Sequence, residues 1–321
     1  MTRVSGTAGS FQELPTANKF DRFFHPRIEH WGTHMLRWAS LIVVFFAFVA
    51  GASAQTQIPP DSRLKSIADK KIIRIAYRTD ATPFAFADDK NQAVGFSVDL
   101  CQLVTKSIAQ QFALQDIAIQ WVPVTVQTRF SAVSGGQADL ECGSSTITLG
   151  RMKDVDFSNI IFVETTGVVV ARASNFQSLA DMAGKKIAVI SGTTNQRAVM
   201  DQSLQHSLNI TEVAVKDRDE GIAALEAAKV DGYASDKLLL LGNHMKNADA
   251  YVMLPDDLSI EPYAIVLPRG DWALRLAVNT GLAQIYRSGA IVGVYKKWFG
   301  QLGLDPGVLA KAAYALGGLP Q

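Results

Sequence analysis

The chain has 321 residues, of which 48% are hydrophobic and 19% are charged, and its 31 basic and 30 acidic side chains nearly cancel. This length and apolar content exclude a disordered chain and allow two domains with buried cores. The near-neutral balance also argues against a nucleic-acid-binding surface, which needs a local excess of Lys and Arg.

The first part of the chain is typical of an exported protein. An apolar run at 41–52 follows a basic flank and ends in Ala-Ser-Ala at 52–54, as in a secretory signal peptide. We interpret 35–54 as this signal and 1–34 as a disordered or non-native extension, which predicts a periplasmic location. An uncleaved membrane anchor stays an alternative, although the run is shorter than the roughly 20 residues of a spanning helix.

The segment after the signal predicts alternating strands and helices. Apolar runs at 72–77, 117–122 and 138–142 indicate strands, whereas 95–112 and 129–134 indicate helices. This order predicts a parallel sheet covered by helices. In sheets of this kind, ligands bind at the carboxyl ends of the strands.

Charged and hydroxyl residues follow each of these three predicted strands. Arg78 follows the first strand, 125–129 follow the second, and 143–151 follow the third. In the last of these segments, a turn rich in hydroxyl side chains leads to Arg151 in the first turns of a predicted helix. Backbone N–H groups, hydroxyls and a guanidinium at one corner favour a carboxylate-binding site.

A second unit repeats the alternation and predicts a second lobe. Its strands are predicted at 166–171, 186–190, 213–215 and 230–234. The chain then returns to the first unit, so we expect lobe 1 to comprise 61–165 with 260–321, and lobe 2 to comprise 166–259. The crossings are expected near 160–168 and 258–265. The predicted fold class is therefore α/β, with two lobes and two hinge crossovers.

The mature chain resembles, over about residues 61–300, the family 3 extracellular solute-binding proteins of polar amino-acid ABC transporters. The motifs that carry this resemblance are GFSVDL at 95–100, TITLGR at 146–151, AGK at 183–185, SGTT at 191–194 and KWF at 297–299. Within the family, ECGSST at 141–146 and Arg129 after Thr125 are similar to the glutamate/aspartate-binding branch. The resemblance implies a type II periplasmic-binding-protein fold, in which two lobes with mostly parallel sheets flanked by helices close on one ligand.

The resemblance also implies a site for the α-carboxylate of an amino acid. The arginine at the Arg151 position would bind this carboxylate. The residues that would assist it from the two lobes are Ser144, Thr146, Thr193 and Thr194. The chain departs from the family at Gly150, where a Glu is common, and this glycine would loosen the start of the helix that carries the arginine.

The resemblance assigns the other end of the ligand to a second set of residues. Asp236 would bind the α-ammonium, and Arg78 and Arg129 would face a side-chain carboxylate. A zwitterion needs one cation and one anion, so the surplus arginines make sense only if the ligand carries a second carboxylate. Arg218 stands where the branch carries a His, and it is either a fourth cleft cation or a surface residue. We expect Phe86 to face the cleft.

Two cysteines, Cys101 and Cys142, remain after export. In an oxidising compartment they form a disulfide, or they stay two buried free thiols, and their separation in sequence does not decide between the two. Glu141, which precedes Cys142, is interpreted as a structural partner of the cleft arginines.

We predict a non-enzymatic protein that captures L-glutamate or L-aspartate and delivers it to an ABC permease, as a monomer without cofactor or metal. No G-x-S-x-G, H-E-x-x-H or C-x-x-C pattern is present. The alternatives are a bilobal-fold periplasmic enzyme such as a cyclohexadienyl dehydratase, and a binding protein for another polar amino acid. Glutamate and aspartate differ by one methylene, which is too little for the sequence to rank them.

Overall fold

The computed structural model describes residues 58–246 and 249–320. The predicted extension 1–34 and signal peptide 35–54 lie outside these residues. The helices are α1 Arg63–Lys70, α2 Phe96–Gln111, α3 Arg129–Ser134, α4 Thr194–Gln205, α5 Arg218–Glu226, α6 Lys237–Lys246, α7 Trp272–Arg287, α8 Ala290–Phe299 and α9 Val308–Gly317. The strands are β1 Ile72–Arg78, β2 Asp80–Ala81, β3 Ala85–Ala87, β4 Ala93–Val94, β5 Ala118–Val124, β6 Leu140–Glu141, β7 Val155–Ala171, β8 Lys186–Ile190, β9 Thr211–Val215, β10 Gly232–Asp236, β11 Tyr251–Met253 and β12 Ile260–Pro268.

The first half of the main sheet has the strand order β5-β1-β6-β12-β7. Strand β1 pairs in parallel with β5 and β6 because α2 and α3 carry the chain across the sheet between these strands. The register aligns Arg78 with Val124, so the carboxyl ends of β1 and β5 lie side by side. Strand β6 ends beside them at Glu141. The three predicted strand ends therefore meet at one edge.

Strand β7 belongs to both halves of the main sheet. Its first part pairs antiparallel with β12, and its last residues pair antiparallel with β10 and β11. The second half continues through β10, β8 and β9, which are parallel to one another. These two half-sheets, joined through β7 and β12, agree with the predicted fold class. The lobe boundaries, 61–165 with 260–321 for lobe 1 and 166–259 for lobe 2, stay a prediction.

Each half-sheet is covered on both faces, as parallel sheets require. In the first half, Leu100 of α2 and Val278 of α7 lie in the larger core, and Val133 of α3 lies in the core on the opposite face. In the second half, Val199 of α4 and Leu225 of α5 lie in two separate cores. The sheet edge at the strand ends is consequently left for polar residues.

A disulfide and a charged hydrogen-bond pair fix α2 within lobe 1. Cys101 on α2 is bonded to Cys142, with their Cα atoms 6.5 Å apart. The disulfide alternative is therefore the correct one. At the other side of the helix, Asp99 Oδ2 accepts hydrogen bonds from Lys297 Nζ and Trp298 Nε1, each at 2.7 Å. Both contacts hold the helix that lies behind the loop after β6.

Helix α9 was not expected from the sequence. Its Tyr314 hydroxyl donates to the Ile161 carbonyl of β7 at 3.1 Å, which anchors the helix to β7.

Across residues 58–246 and 249–320, no helix combines the length and the apolar character needed to cross a membrane.

Candidate functional site

A cavity between the two half-sheets collects side chains from both. Its lining residues are Arg78, Arg129, Ser144, Thr146, Ile190, Thr193, Thr194, Asn195, Arg218, Ser235, Asp236 and Leu239. The cavity is contracted. Its volume of about 10 Å³ has room for about one water molecule. Charged and hydroxyl side chains dominate this lining. Within the described part of the chain, no group of His, Cys, Asp and Glu is arranged to hold a metal ion.

Arg78, the last residue of β1, is paired with Asp80. Its Nε and Nη2 atoms donate to the two Asp80 carboxylate oxygens at 2.9 and 2.8 Å, in the bidentate geometry that arginine favours. Burial raises the pKa of Asp80, but the Arg78 guanidinium outweighs this effect and holds the pKa below its ordinary value. Two of the three guanidinium nitrogens of Arg78 are therefore occupied within the protein.

Arg129 and Arg151 share the ring of Phe130. Both guanidinium carbons lie 4.8 Å from its centroid, which is within cation–π distance. Arg129 makes one long hydrogen bond, from Nη1 to the Ser144 carbonyl at 3.4 Å, and within 58–246 and 249–320 its buried Nε has no hydrogen-bond partner. Burial and the nearby Arg151 lower the pKa of Arg129 to about 9. Arg151 Nη1 donates to the Thr146 carbonyl at 2.7 Å. Arg129 thus retains an open donor in a desolvated position, which favours an anion.

Glu141 lies beneath the loop that follows β6. It is fully buried, and neither of its carboxylate oxygens has a hydrogen-bond partner among the residues that the structure describes. Desolvation raises the pKa of Glu141, and Arg129 opposes this rise without forming an ion pair with it. A Cβ atom at Gly143 would overlap Glu141 Oε1, so any other residue at this position would require the carboxylate or the loop to shift. The Ser97 hydroxyl holds the Gly143 carbonyl at 2.7 Å.

The amino end of α4 faces the cavity from the second half-sheet. Thr193 caps this helix: its Oγ1 accepts from the Gln196 backbone N–H at 3.2 Å and donates to the Ile190 carbonyl at 2.7 Å. Gly192 has a φ of 76°, which lets the chain turn from β8 into the helix. Because the Thr193 hydroxyl is used for capping, α4 offers a ligand the backbone N–H groups of its first turn.

Asp236, the last residue of β10, is a buried acceptor in the lining. Asn195 Nδ2 donates to its Oδ1 at 2.8 Å and to Thr166 Oγ1 at 2.7 Å. Burial raises the pKa of Asp236 to about 6, and the nearby Glu261 adds to this rise. An incoming cation would favour the ionised form of Asp236.

Glu261, on β12, is a second buried carboxylate in this region. Its Oε2 accepts hydrogen bonds from Thr146 Oγ1 and Thr194 Oγ1, each at 2.6 Å. Its Oε1 accepts from Ser259 Oγ at 2.5 Å and from Thr166 Oγ1 at 3.2 Å. Thr146 follows β6 and Thr194 begins α4, so one carboxylate connects the two sides of the cavity.

Arg218 is the first residue of α5 rather than part of a loop. It is 7% exposed, and its buried Nη2 atom has no hydrogen-bond partner in the portion of the chain that is described. Burial lowers the pKa of Arg218, and the neighbouring Tyr233 hydroxyl opposes this change. Arg218 lines the cavity. Of the two alternatives, a cleft cation and a surface residue, its position fits the cleft cation.

Comparison with known proteins gives the family. Residues 73–301 match the sequence profile of the bacterial extracellular solute-binding proteins, family 3. The chain belongs to this family. The L-glutamate/L-aspartate-binding protein of Pseudomonas aeruginosa is 29% identical over 241 residues, which are 74% of this chain and 80% of that one. The glutamate/aspartate import solute-binding protein of Escherichia coli K12 is 26% identical over 268 residues, which are 82% and 89% of the two chains.

A solved structure with the same architecture is similarly distant in sequence. It is an ancestral amino-acid-binding protein, a precursor of cyclohexadienyl dehydratase, with a TM-score of 0.64 and 26% identity over 74% of this chain and 100% of its own. The predicted type II periplasmic-binding-protein fold is confirmed for this solute-binding protein.

The cavity brings together all of the predicted ligand-binding residues except Arg151 and Phe86. Arg151 lies beside the lining, and the helix predicted there is only a 3₁₀ turn, Arg151–Lys153. Phe86 packs edge-on against Trp298, with ring centroids 5.8 Å apart, and does not line the cavity. Phe86 therefore lies outside the lining of this cavity, and its position in a ligand cleft stays a prediction.

Two polar residues in contact with the candidate site were missed from the sequence. Asn195 directly follows the SGTT motif, and its side-chain amide donates a hydrogen bond to Asp236. Glu261 falls in the predicted crossover 258–265, as an acid between Ile260 and Pro262. A charged residue in an otherwise apolar strand that is buried on both faces was the available signal.

Proposed function

We propose that this solute-binding protein captures an acidic amino acid, L-glutamate or L-aspartate. The observation that carries the proposal is that Arg129 and Arg218 both line the cavity, and each has a buried guanidinium nitrogen without a hydrogen-bond partner in the described part of the chain. An apolar ligand side chain would leave both donors unpaired, at a cost of about 1–3 kcal/mol each. An amide side chain offers one neutral acceptor oxygen, and its NH₂ group is a donor that matches neither guanidinium. A second ligand carboxylate would satisfy them.

The α end of the ligand is assigned to the residues around Asp236. Arg151 and the backbone N–H groups at the start of α4 supply positive charge for the α-carboxylate, with Ser144 beside them. Asp236 supplies the negative charge for the α-ammonium. Closure of the lobes excludes water, which strengthens each of these charge interactions.

Isothermal titration of the purified protein with glutamate, aspartate, glutamine, asparagine and arginine tests the specificity. We expect binding of the two acidic amino acids, and binding of the amides at least about 100-fold weaker, because an amide replaces one charged acceptor oxygen by a donor and loses the charge-assisted hydrogen bonds to the guanidinium groups. Tight binding of a neutral or basic amino acid without binding of either acidic one would refute the proposal.

A catalytic function is the second candidate, because an ancestral precursor of cyclohexadienyl dehydratase has this fold. We propose that the chain is not an enzyme and that its charged groups bind without making or breaking covalent bonds. Incubation of the purified protein with prephenate or arogenate is expected to give no product. Turnover of either compound would favour the enzyme.

We further propose that the protein works in the periplasm as a monomer and hands its ligand to the membrane subunits of an ABC permease. The names of its relatives as binding and import proteins support this role. N-terminal sequencing of the exported protein is expected to find Gln55 at the mature start. A mature chain that retains residues of 1–34 would contradict the predicted signal peptide.

A further inference from the structure

The hydrogen-bond pattern around Glu261 constrains what two cavity residues can do. Glu261 is 1% exposed and receives hydrogen bonds from four hydroxyl groups. The two bonds from Thr146 and Thr194 are 2.6 Å long, in the range of charge-assisted O–H···O⁻ bonds. Both threonines also line the cavity, so Glu261 can influence a bound ligand through the orientation of their hydroxyl groups.

A hydroxyl group has one proton and two lone pairs. When Thr146 and Thr194 give their protons to Glu261, each has only acceptor capacity left for a ligand. The two Oγ1 atoms lie 3.4 Å apart, and Asp236 lines the same cavity. Three acceptors near one another fit an ammonium group, which has three N–H donors. They do not fit a carboxylate, which needs donors.

We infer that Glu261 is a positioning residue that makes the hydroxyls of Thr146 and Thr194 acceptors for the α-ammonium. The inference rests on the proposed function and adds a role for two residues to which that proposal assigns none. The two hydroxyls, which the family resemblance places near the α-carboxylate, serve the ammonium instead. The α-carboxylate is left to Arg151 and to backbone N–H groups.

The same carboxylate joins recognition to closure of the lobes. Thr146 and Thr194 reach Glu261 from opposite sides of the cavity, and Glu261 lies on β12, which pairs with the lobe-connecting strand β7. The hydroxyls take up their acceptor orientation together only when both sides are in contact with Glu261. Selectivity for an ammonium group is therefore greatest in the closed arrangement.

The substitution Glu261→Gln tests this inference because it keeps the shape of the side chain and replaces one acceptor oxygen by an NH₂ donor. With the amide nitrogen towards the threonines, their protons turn to the cavity and oppose an ammonium. With the amide oxygen towards them, a neutral acceptor holds their protons more weakly than the carboxylate does. We compare L-glutamate with glutarate, which has both carboxylates but no ammonium, by displacement titration. We expect the glutamate-to-glutarate affinity ratio to fall at least tenfold. An equal loss of both ligands, or no change in the ratio, would overturn the inference.

Glu164→Gln is the matched control. Glu164 is 7% exposed and faces Glu261 across the β7–β12 pairing, but it accepts from the Leu238 backbone N–H at 2.9 Å and contacts neither threonine. We expect the affinity ratio to stay at the wild-type value. If the Glu261 variant does not fold, Thr194→Val removes one acceptor without changing the shape, and the ratio must still fall.

The two proposals fail in different ways. If the wild-type protein binds neither glutamate nor aspartate but binds another amino acid, the acidic specificity is wrong. Glu261 is then tested with that amino acid and its analogue without the amino group. If the wild-type protein binds no amino acid, both proposals are overturned.

Discussion

Arg78 and Asp80 form a bidentate ion pair at the edge of the cavity, with N–O distances of 2.9 and 2.8 Å. The pair divides the arginines of the site into two kinds. Arg78 has its charge largely balanced, whereas Arg129 and Arg218 each keep a buried donor without a partner. On the proposed function, the affinity for an anionic side chain is therefore expected to depend on Arg129 and Arg218, and Asp80 is expected to compete with the ligand for Arg78.

Replacing Asp80 is expected to tighten the binding of glutamate. Asp80→Asn removes the competing charge and frees donors of Arg78 for the ligand. Because the Asp80 side chain is 36% exposed, its pair with Arg78 is worth no more than about 1 kcal/mol. Titration should show a gain of up to about fivefold. Asp89→Asn, at an exposed turn of the same lobe, makes the same charge change and should leave the affinity unaltered.

Replacing Arg129 is expected to remove the preference for acidic ligands. Arg129→Met keeps most of the apolar stem but removes the charge, and loss of one partner of a buried charge pair costs about 2–5 kcal/mol. Glutamate affinity should fall at least 30-fold, while glutamine affinity changes little. Arg197→Met, at an exposed arginine paired with Asp201, is the control and should change neither. Equal losses for glutamate and glutamine would contradict the assignment.

The sequence predicted the strand ends and their arginines because parallel strands in a βαβ order must end at the same edge. It predicted the residues of this edge but not their partners. Glu261 is separated by 115 residues from Thr146 and by 67 from Thr194, so only the folded chain brings the three together. Arg151 was expected on a helix, but the segment after it enters β7 within a few residues and leaves room for a single turn.

Glutamate binding is expected to weaken below pH 6 because Asp236 must be ionised to hold the ammonium. Its pKa is about 6 in the folded protein, above its ordinary value of 3.8. Affinity should be nearly constant above pH 7 and about tenfold lower at pH 5. The stability of the ligand-free protein has the opposite dependence. The contribution of Asp236 is fully present below pH 3.8 and is lost as the pH rises to 6.

The variant Asp236→Asn isolates this effect. It should bind glutamate more weakly than the wild type at pH 7, and its affinity should not change between pH 5 and pH 7. Glu164 does not titrate in this window, because burial raises its pKa to about 8. A persistent pH slope in the variant would mean that another group controls binding.

Reduction of the disulfide is expected to lower the free energy of unfolding while the fold is retained. Cys101 and Cys142 are 41 residues apart, and a loop of this length stabilises a protein by about 2–4 kcal/mol. Thermal unfolding with a reductant should show a Tm about 5–15 °C lower than without it. The variant Cys101→Ala should already have the lower Tm and should not respond to the reductant.

Two glycines in the loop after β6 are expected to respond differently to substitution by alanine. Gly150 has helical backbone angles, φ −62° and ψ −47°, and a Cβ there would meet only Thr148 Oγ1 at 3.8 Å. Its backbone is already in the conformation that other residues adopt, so the glycine does not loosen the turn that carries Arg151. Gly150→Ala should raise the free energy of unfolding by about 0.4–1 kcal/mol and leave glutamate affinity unchanged.

At Gly143, a new Cβ would overlap Glu141 Oε1. The carboxylate is fully buried and has no hydrogen-bond partner to guide it to a new position, so it must move among the cavity arginines or displace the loop. Gly143→Ala should therefore lower both the Tm and, by at least fivefold, the affinity for glutamate. Measuring both variants by titration and thermal unfolding separates the two glycines. If Gly143→Ala bound glutamate as well as Gly150→Ala does, the close approach of the loop to Glu141 would have no part in shaping the site.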